Sequence, residues 1–153
     1  MIDFLEKVEE FHNTFELPVL SEPVIPSKER CNLRLSLIKE ELSELEQAIN
    51  ENNLVETFDA LNDLLYVLGG TVLEFGMKDK FKEGFDEVHR SNMSKSCSSI
   101  EEALNTVDYY KDKDGVSSSI FGEENKLIVK RSDGKILKSI NYSPADLKKI
   151  ILK

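Results

Sequence analysis

Apolar residues recur at helical spacing through the first two thirds of the chain. Phe4, Val8, Phe11 and Phe15 are separated by four, three and four positions, a spacing that puts them on one face and predicts a short amphipathic helix over 2–15. From Leu17 to Ser27 the chain holds Pro18, Pro23 and Pro26. Each proline removes a donor and turns the preceding residue away from helical angles, so this stretch is an extended connector. Ser27 is an expected N-cap, with Arg30 three residues on in place of the Glu of a capping box. The helix it opens runs to about Ile49 through Leu33, Leu37, Ile38, Leu42, Leu45 and Ala48. Asn50 to Asn53 breaks the pattern. A third helix from Leu54 to Phe75 carries Phe58, Leu61, Leu64, Leu65, Leu68 and Val72, with Gly76 as its C-cap. The short connection predicts that these two long helices pair antiparallel. Lys78 to about Arg90 repeats the spacing with Phe81, Phe85 and Val88, although Gly84 costs up to about 1 kcal/mol relative to Ala. Polar Ser91 to Ser99 is an expected loop, and Ser99 with Glu102 makes the S-x-x-E pattern of a capping box before a helix reaching about Tyr110.

The end changes character. Ser117 to Phe121, Lys126 to Arg131 and Ile136 to Ile140 are short β-branched runs, and Ser132-Asp133-Gly134-Lys135 supplies a hairpin turn between the last two. Ser143 followed by Pro144 predicts an N-cap and first position for a final helix through Leu147 and Ile151. The expected fold is mainly α, an antiparallel helical bundle over 1–95. A helix and a small C-terminal β hairpin appendage with a final short helix follow over 96–153, both parts serving one functional unit. Two long helices with wide apolar stripes predict a homodimer or a dimer of dimers.

Composition narrows the function classes. With 153 residues and 40% apolar content, the chain can close one ordinary core. It carries 20 Lys+Arg against 29 Asp+Glu, net -9, which argues against a nucleic-acid polymer as its main partner. No apolar run approaches the roughly 18 residues of a membrane span. Met1 to Glu10 lacks the pattern of a secretion signal, and two cysteines, Cys31 and Cys97, make a disulfide framework improbable; the expectation is a cytoplasmic protein with reduced thiols. Charge is also uneven, with 10 basic and 20 acidic residues over 1–95 against 10 and 9 over 96–153. That division suits mutual attraction of the two parts, and equally a site with cations on one side and phosphates on the other.

The densest chemical signal is Glu40-Glu41-Leu42-Ser43-Glu44 on the second helix, followed by Glu56, Asp59 and Asp63 on the third. Glu40 and Glu44 are four apart, Glu41 and Glu44 three, Asp59 and Asp63 four, so each set stacks on a helix face. Like charges there repel by a few tenths of a kcal/mol each when exposed, and by more when driven inward. A hard divalent cation offsets this: Mg²⁺ takes carboxylate oxygens and bridges them to substrate phosphates. A solvated acidic face explains the spacing equally well. His12 and His89 lack zinc-ligand spacing and are expected at the surface or in interhelical polar packing. No Walker-type loop is present, and Gly69-Gly70 reads as a close-packing point.

Glu40-Glu41-x-x-Glu44, followed by Asp59-Ala-Leu-Asn-Asp63-Leu-Leu-Tyr66-Val-Leu, resembles the all-α nucleoside triphosphate pyrophosphohydrolases of the MazG and phosphoribosyl-ATP pyrophosphohydrolase superfamily. The likeness extends through Gly69-Gly70-Thr71, Phe75-Gly76, residues 85–95, Tyr109 and residues 133–138. It is strongest to the phosphoribosyl-ATP pyrophosphohydrolase-like branch, whose members need not act in histidine synthesis. The resemblance implies a MazG-like four-helix core formed on oligomerisation. It also implies a metal-dependent cut of a nucleoside triphosphate between its α and β phosphates, which releases monophosphate and pyrophosphate and clears unwanted nucleotides. Carried over by position, Glu41, Glu44 and Asp63 match the metal ligands, for Mg²⁺ with Mn²⁺ as a substitute. Glu40 matches the first Glu of the motif, placed to orient or deprotonate the attacking water. Many members have Glu three residues before the last Asp. This chain has Ala60 there, with Asp59 one position earlier as the substitute ligand, and Glu56 as a weaker candidate.

Attack on a phosphoryl group needs mainly positioning and charge neutralisation, so no protein nucleophile is called for. By resemblance Asn92 and Lys95 hold the triphosphate or sugar, while Lys135 and Lys138 on the expected hairpin balance a nucleotide role against ordinary solvated lysines. Two alternatives share these residues: a phosphoribosyl-ATP pyrophosphohydrolase of histidine biosynthesis, and a noncatalytic helical nucleotide-binding or regulatory module.

Overall fold

The structure, a computed structural model, describes residues 4–123 and 126–152. The chain forms two compact units, Met1–Lys82 and Glu83–Lys153. Its elements in order are α1 (Phe4–Thr14), α2 (Lys28–Asn50), α3 (Leu54–Glu74), α4 (Lys78–Met93), α5 (Ile100–Asp114), β1 (Ser118–Phe121), β2 (Ile128–Arg131) and α6 (Lys148–Ile151). Mainly helical, with one small hairpin and a short last helix, the fold is the one the apolar pattern predicts.

In the first unit α2 and α3 form the expected hairpin. Asn52 takes the left-handed conformation, φ +53, which Asn tolerates better than most residues. Asn53 then caps α3, its side chain accepting from the Glu56 N–H at 3.3 Å. At the far end Arg30 and Arg34 of α2 reach Glu74 of α3, which fixes the antiparallel sense. Ser27 caps α2 as predicted, accepting from the Arg30 N–H at 3.4 Å. The proline-rich connector runs extended along the end of α3, with Leu20 N–H donating to Leu73 O at 3.0 Å and Val24 N–H to Phe75 O at 3.1 Å. Gly76, φ +65, lies where a Cβ would stand 1.9 Å from the Glu22 carbonyl oxygen, so a side chain there would displace the connector.

The face of α1 differs from the expectation. Leu5, Val8 and His12 are buried, while Phe11 and Phe15 are 38% and 60% exposed. The reason lies on α3: a Cβ on Gly69 would stand 3.1 Å from Val8 and one on Gly70 2.8 Å from His12. The paired glycines are thus the close-packing point for α1, and a histidine with hydrogen-bonded nitrogens takes a core position that hydrophobicity alone assigns to phenylalanine. Much of the predicted apolar stripe on the long helices faces outward, including Leu33, Leu42, Phe58, Leu61, Leu65 and Leu68.

In the second unit Cys97, Ala103, Leu127, Val129 and Leu137 form the core, with Val107, Tyr110, Val116 and Ile120 packed on it. Both cysteines are free. Ser99 caps α5, and Glu102 reaches back as a capping-box glutamate does, but to the N–H and Oγ of Ser98, both at 2.8 Å. Ser139 Oγ also donates to the buried Glu102 carboxylate. Burial pushes that carboxyl up, and the donors from Ser139, Ser98 and Asn141 more than reverse it, leaving it below the usual range. Gly115 ends α5 in the left-handed conformation, one turn past the predicted Tyr110.

Three expectations are corrected here. The hairpin pairs β1 with β2 antiparallel, Ser118 opposite Arg131 and Phe121 opposite Ile128, whereas Ile136–Ile140 contributes a single bridge, Lys130 to Ile136. The Asp-Gly turn thus returns the chain without starting a strand, because Leu137 turns into the core and Ser139 is spent on Glu102. α4 continues to Met93, so Ser91 and Asn92 are helical and not in a loop. Ser143 does not cap a helix. Its N–H donates to Ser94 Oγ at 2.9 Å, Arg90 donates to its Oγ at 3.1 Å and to the Pro144 carbonyl at 3.0 Å, and α6 starts only after Leu147. Phe85 and Val88 of α4 are exposed, and Ser91 is its one residue of the second unit that is buried among those described.

Candidate functional site: an acidic face on the helical hairpin

Glu40, Glu41 and Glu44 lie in the middle of α2, and Asp59 and Asp63 in the first half of α3. Glu41 is half-buried and the other four are exposed. Its carboxyl is held above the usual range, first by burial, then by the like charges of Asp63, Glu44, Glu40 and Asp59, in that order. Of the five acids predicted from the sequence, the structure therefore brings four within electrostatic reach of the fifth, Glu41. None of the five forms an ion pair among the described residues. Among those residues no group of three or more His, Cys, Asp or Glu side chains is gathered closely enough to hold a metal ion. The acids share a face without meeting at a point. Asp59 has the weakest influence on Glu41, and Ala60, which stands where a Glu is common, is 4% exposed. A cation taken by this set would meet carboxylate oxygens only, the donor chemistry of Mg²⁺, Mn²⁺ or Ca²⁺ and not of zinc.

His12 is excluded as a ligand by geometry. His12 is 1% exposed, its Nδ1 lies 2.9 Å from the Pro18 carbonyl oxygen and its Nε2 3.1 Å from Arg34 Nη2. A carbonyl only accepts, so Nδ1 carries the proton and Nε2 accepts from the guanidinium. Burial, first, and the Arg34 charge hold the imidazole below its usual value of 6.5 against the opposing pull of the Pro18 hydrogen bond. His89 is exposed.

The candidate phosphate donors all belong to the second unit. Asn92 sits in the last turn of α4, and its Oδ1 accepts from Lys95 Nζ at 2.8 Å. Lys135 follows the Asp-Gly turn and is exposed, and Lys138 Nζ stands 4.4 Å over the Tyr142 ring.

Two groups escaped the sequence analysis. Arg30 and Arg34 clamp Glu74, which is 1% exposed. The signal was a glutamate amid Val72, Leu73 and Phe75, with two arginines four apart on the facing helix. A cavity of about 170 Å³ between α1 and α3, lined by Phe4, Lys7, Val8, Asn62, Asp63 and Tyr66 among others, had no linear signal because its walls are 54 or more positions apart in sequence.

No helix among the described residues is long and apolar enough to cross a membrane. The sequence profile of the phosphoribosyl-ATP pyrophosphohydrolase family matches residues 8–92. That span holds all five acids and Asn92 and stops short of Lys95 and the late lysines. A viral relative, uncharacterized protein L479 of Acanthamoeba polyphaga mimivirus, is 28% identical over 225 aligned positions, covering 88% of this chain and 90% of that protein. By the profile match over more than half its length, this chain belongs to the phosphoribosyl-ATP pyrophosphohydrolase family, part of the MazG-like all-α nucleoside triphosphate pyrophosphohydrolase superfamily, and is a pyrophosphohydrolase by that membership.

Proposed function

We propose that this protein is a Mg²⁺-dependent nucleoside triphosphate pyrophosphohydrolase that cleaves ribo- or deoxyribonucleotides between the α and β phosphates, releasing monophosphate and pyrophosphate and clearing unwanted nucleotides from the cytoplasmic pool. The observation that supports it is that half-buried Glu41 shares a face of the hairpin with four like charges, Asp63, Glu44, Glu40 and Asp59, and none of them has an ion-pair partner among the described residues, in a member of a pyrophosphohydrolase family. Acids so placed are costly unless a cation joins them.

Glu41, Glu44, Asp59 and Asp63 are the residues that would hold Mg²⁺, or Mn²⁺ in its place. When bound, such an ion neutralises phosphate charge and lowers the pKa of a ligated water. Glu40 orients the attacking water and takes its proton; the water oxygen forms the new P–O bond as the bond bridging the α and β phosphates breaks. Asn92, Lys95, Lys135 and Lys138 supply donors for phosphate or sugar oxygens. The outward apolar face of the hairpin, with Phe58 70% and Leu61 52% exposed, supports completion of a four-helix core by a second copy, as a homodimer or a dimer of dimers.

The test is pyrophosphate release from a panel of dNTPs, NTPs and phosphoribosyl-ATP with Mg²⁺, beside a Glu41→Gln variant. Monophosphate and pyrophosphate from at least one triphosphate, abolished by the substitution, is the expected result. Silence across the panel from folded protein would overturn the proposal, and turnover confined to phosphoribosyl-ATP would move it to histidine biosynthesis.

A further inference from the structure

We infer that the cavity between α1 and α3 seats the nucleobase of the substrate, with Asn62 Oδ1 accepting from a base N–H and Phe4 and Tyr66 supplying aromatic walls. The inference rests on the triphosphate proposal for its substrate class and goes beyond it by locating a base subsite that the acids do not define.

Its chemistry is that of a planar heterocycle's pocket. At about 170 Å³ and bordered by Phe4, Val8 and Tyr66, the cavity offers mainly apolar and aromatic surface, on which a base gains stacking and burial. Its polar wall is oriented. Asn62 Nδ2 donates to the Phe58 carbonyl at 2.7 Å, and because a carbonyl cannot donate, the amide is fixed with its oxygen away from that bond. Asn62 is exposed and no group among the described residues donates to its Oδ1, so a ligand in the cavity would take this acceptor in place of water. A phosphate would find few donors here, whereas every nucleobase carries N–H groups on its pairing edge.

Position and charge agree. Asp63 borders the cavity and is also the strongest of the like charges acting on Glu41, so a ligand seated in the cavity adjoins the acids proposed to act on its phosphates. Lys7 lines the same cavity and forms no ion pair among the described residues. In a unit with 8 basic and 17 acidic residues over 1–82, an unpaired cation at this place offsets the repulsion of a polyanionic ligand.

The experiment has two arms on wild type and Asn62→Leu, each checked for folding by circular dichroism. In the first, kcat and KM are measured for the dNTP and NTP panel. Loss of the Asn62 hydrogen bond should lower kcat/KM for the preferred nucleotide about tenfold, chiefly through KM, and flatten the ratio between preferred and other bases. In the second, the four uncharged deoxynucleosides are titrated while the Tyr66 and Phe4 ring resonances are followed by NMR. Shifts in wild type that are lost in Asn62→Leu are expected. Turnover with unaltered base ratios in Asn62→Leu, and rings unmoved by any deoxynucleoside, would overturn the base pocket and leave the hydrolase standing. If no triphosphate is hydrolysed, the hydrolase proposal fails alone, and the titration still decides the cavity.

Discussion

Removing the Glu74 carboxylate should be the most damaging single change to the first unit outside its apolar core. Glu74 accepts from Arg30 Nε at 2.9 Å and Arg34 Nε at 2.8 Å, with a second donor from each guanidinium. Side-chain exposure is 1% for Glu74 and 7% for Arg34, but 31% for Arg30. Glu74→Ala therefore strands Arg34 as a buried cation while Arg30 can rehydrate. Breaking such a pair costs about 3–5 kcal/mol, a large share of the roughly 5–15 kcal/mol that holds a domain together. Arg30→Ala should cost no more than about 1 kcal/mol because its partner keeps Arg34 and water reaches the site. Arg34→Met combined with Glu74→Leu should recover most of the loss, since Arg30 can rehydrate and no buried charge is left unpaired, the remainder being the lost Arg34 donor to His12 Nε2. Urea denaturation followed by circular dichroism gives the free energies, and hydrogen exchange at α1 and α3 amides assigns them to the first unit. A loss below about 1 kcal/mol for Glu74→Ala, or a double variant no more stable than the single, would refute the buried-charge reasoning. The pH arm has a definite sign. Burial raises the Glu74 carboxyl, the two arginines pull it further down, and the net shift is below its ordinary value of 4.5. Its stabilisation is thus complete above about pH 4.5 and is lost as the pH falls through the lower folded-state value.

His12 works in the same direction in another window. Its folded pKa lies below 6.5, so stability should decline as pH drops under 6.5, with a slope that His12→Gln flattens in thermal melts at pH 7 and 5. Gly70→Ala would place a Cβ 2.7 Å from Arg34 Nη1 and 2.8 Å from His12 Nε2. Overpacking of about 1–3 kcal/mol should exceed the helix-propensity gain of about 1 kcal/mol, a net loss that denaturation would show and that unchanged or raised stability would contradict. Glu87 is held at about 2 by Arg90 and the Asp146 N–H, so the tie between α4 and residues 143–146 should persist from pH 7 down to about 3, read as unchanged Asp146 amide protection. Saturating Mg²⁺ at 100 times its dissociation constant should raise the stability of the wild type by about 2.7 kcal/mol and that of Glu41→Gln by much less.

The helices of the first unit were legible because their signals are local: proline spacing, Ser27 as a cap, the break at Asn50 to Asn53, and an apolar repeat of 3.6. Which face of α1 turns inward was not, because it depends on Gly69 and Gly70 more than fifty residues away, and on a histidine whose polarity is satisfied only by tertiary partners. The end of the chain was misjudged for a related reason. Ser143-Pro144 and Ile136–Ile140 have the local chemistry of a helix start and a strand, yet Arg90, Ser94 and Glu102 claim their hydrogen-bonding groups. Tertiary partners override a propensity worth only a fraction of a kcal/mol per residue.

The acids show why spacing alone could not separate a site from a solvated face. Glu41 and Glu74 are both glutamates on the paired long helices, and burial raises the pKa of each. For Glu74 two guanidiniums reverse that effect, and the carboxylate becomes a structural clamp at the end of the hairpin. For Glu41 the neighbours add to it, since Asp63, Glu44, Glu40 and Asp59 carry the same sign. A fold selected for stability alone gains nothing from the second arrangement, and replacing any one of those acids by Gln or Asn would relieve it. Under the proposed function the missing positive charge would arrive with the ligand. Opposite electrostatic surroundings for one residue type thus divide the hairpin into an end held together by a charge clamp and a middle with an unneutralised acidic face, the face to which the proposed function assigns its cation.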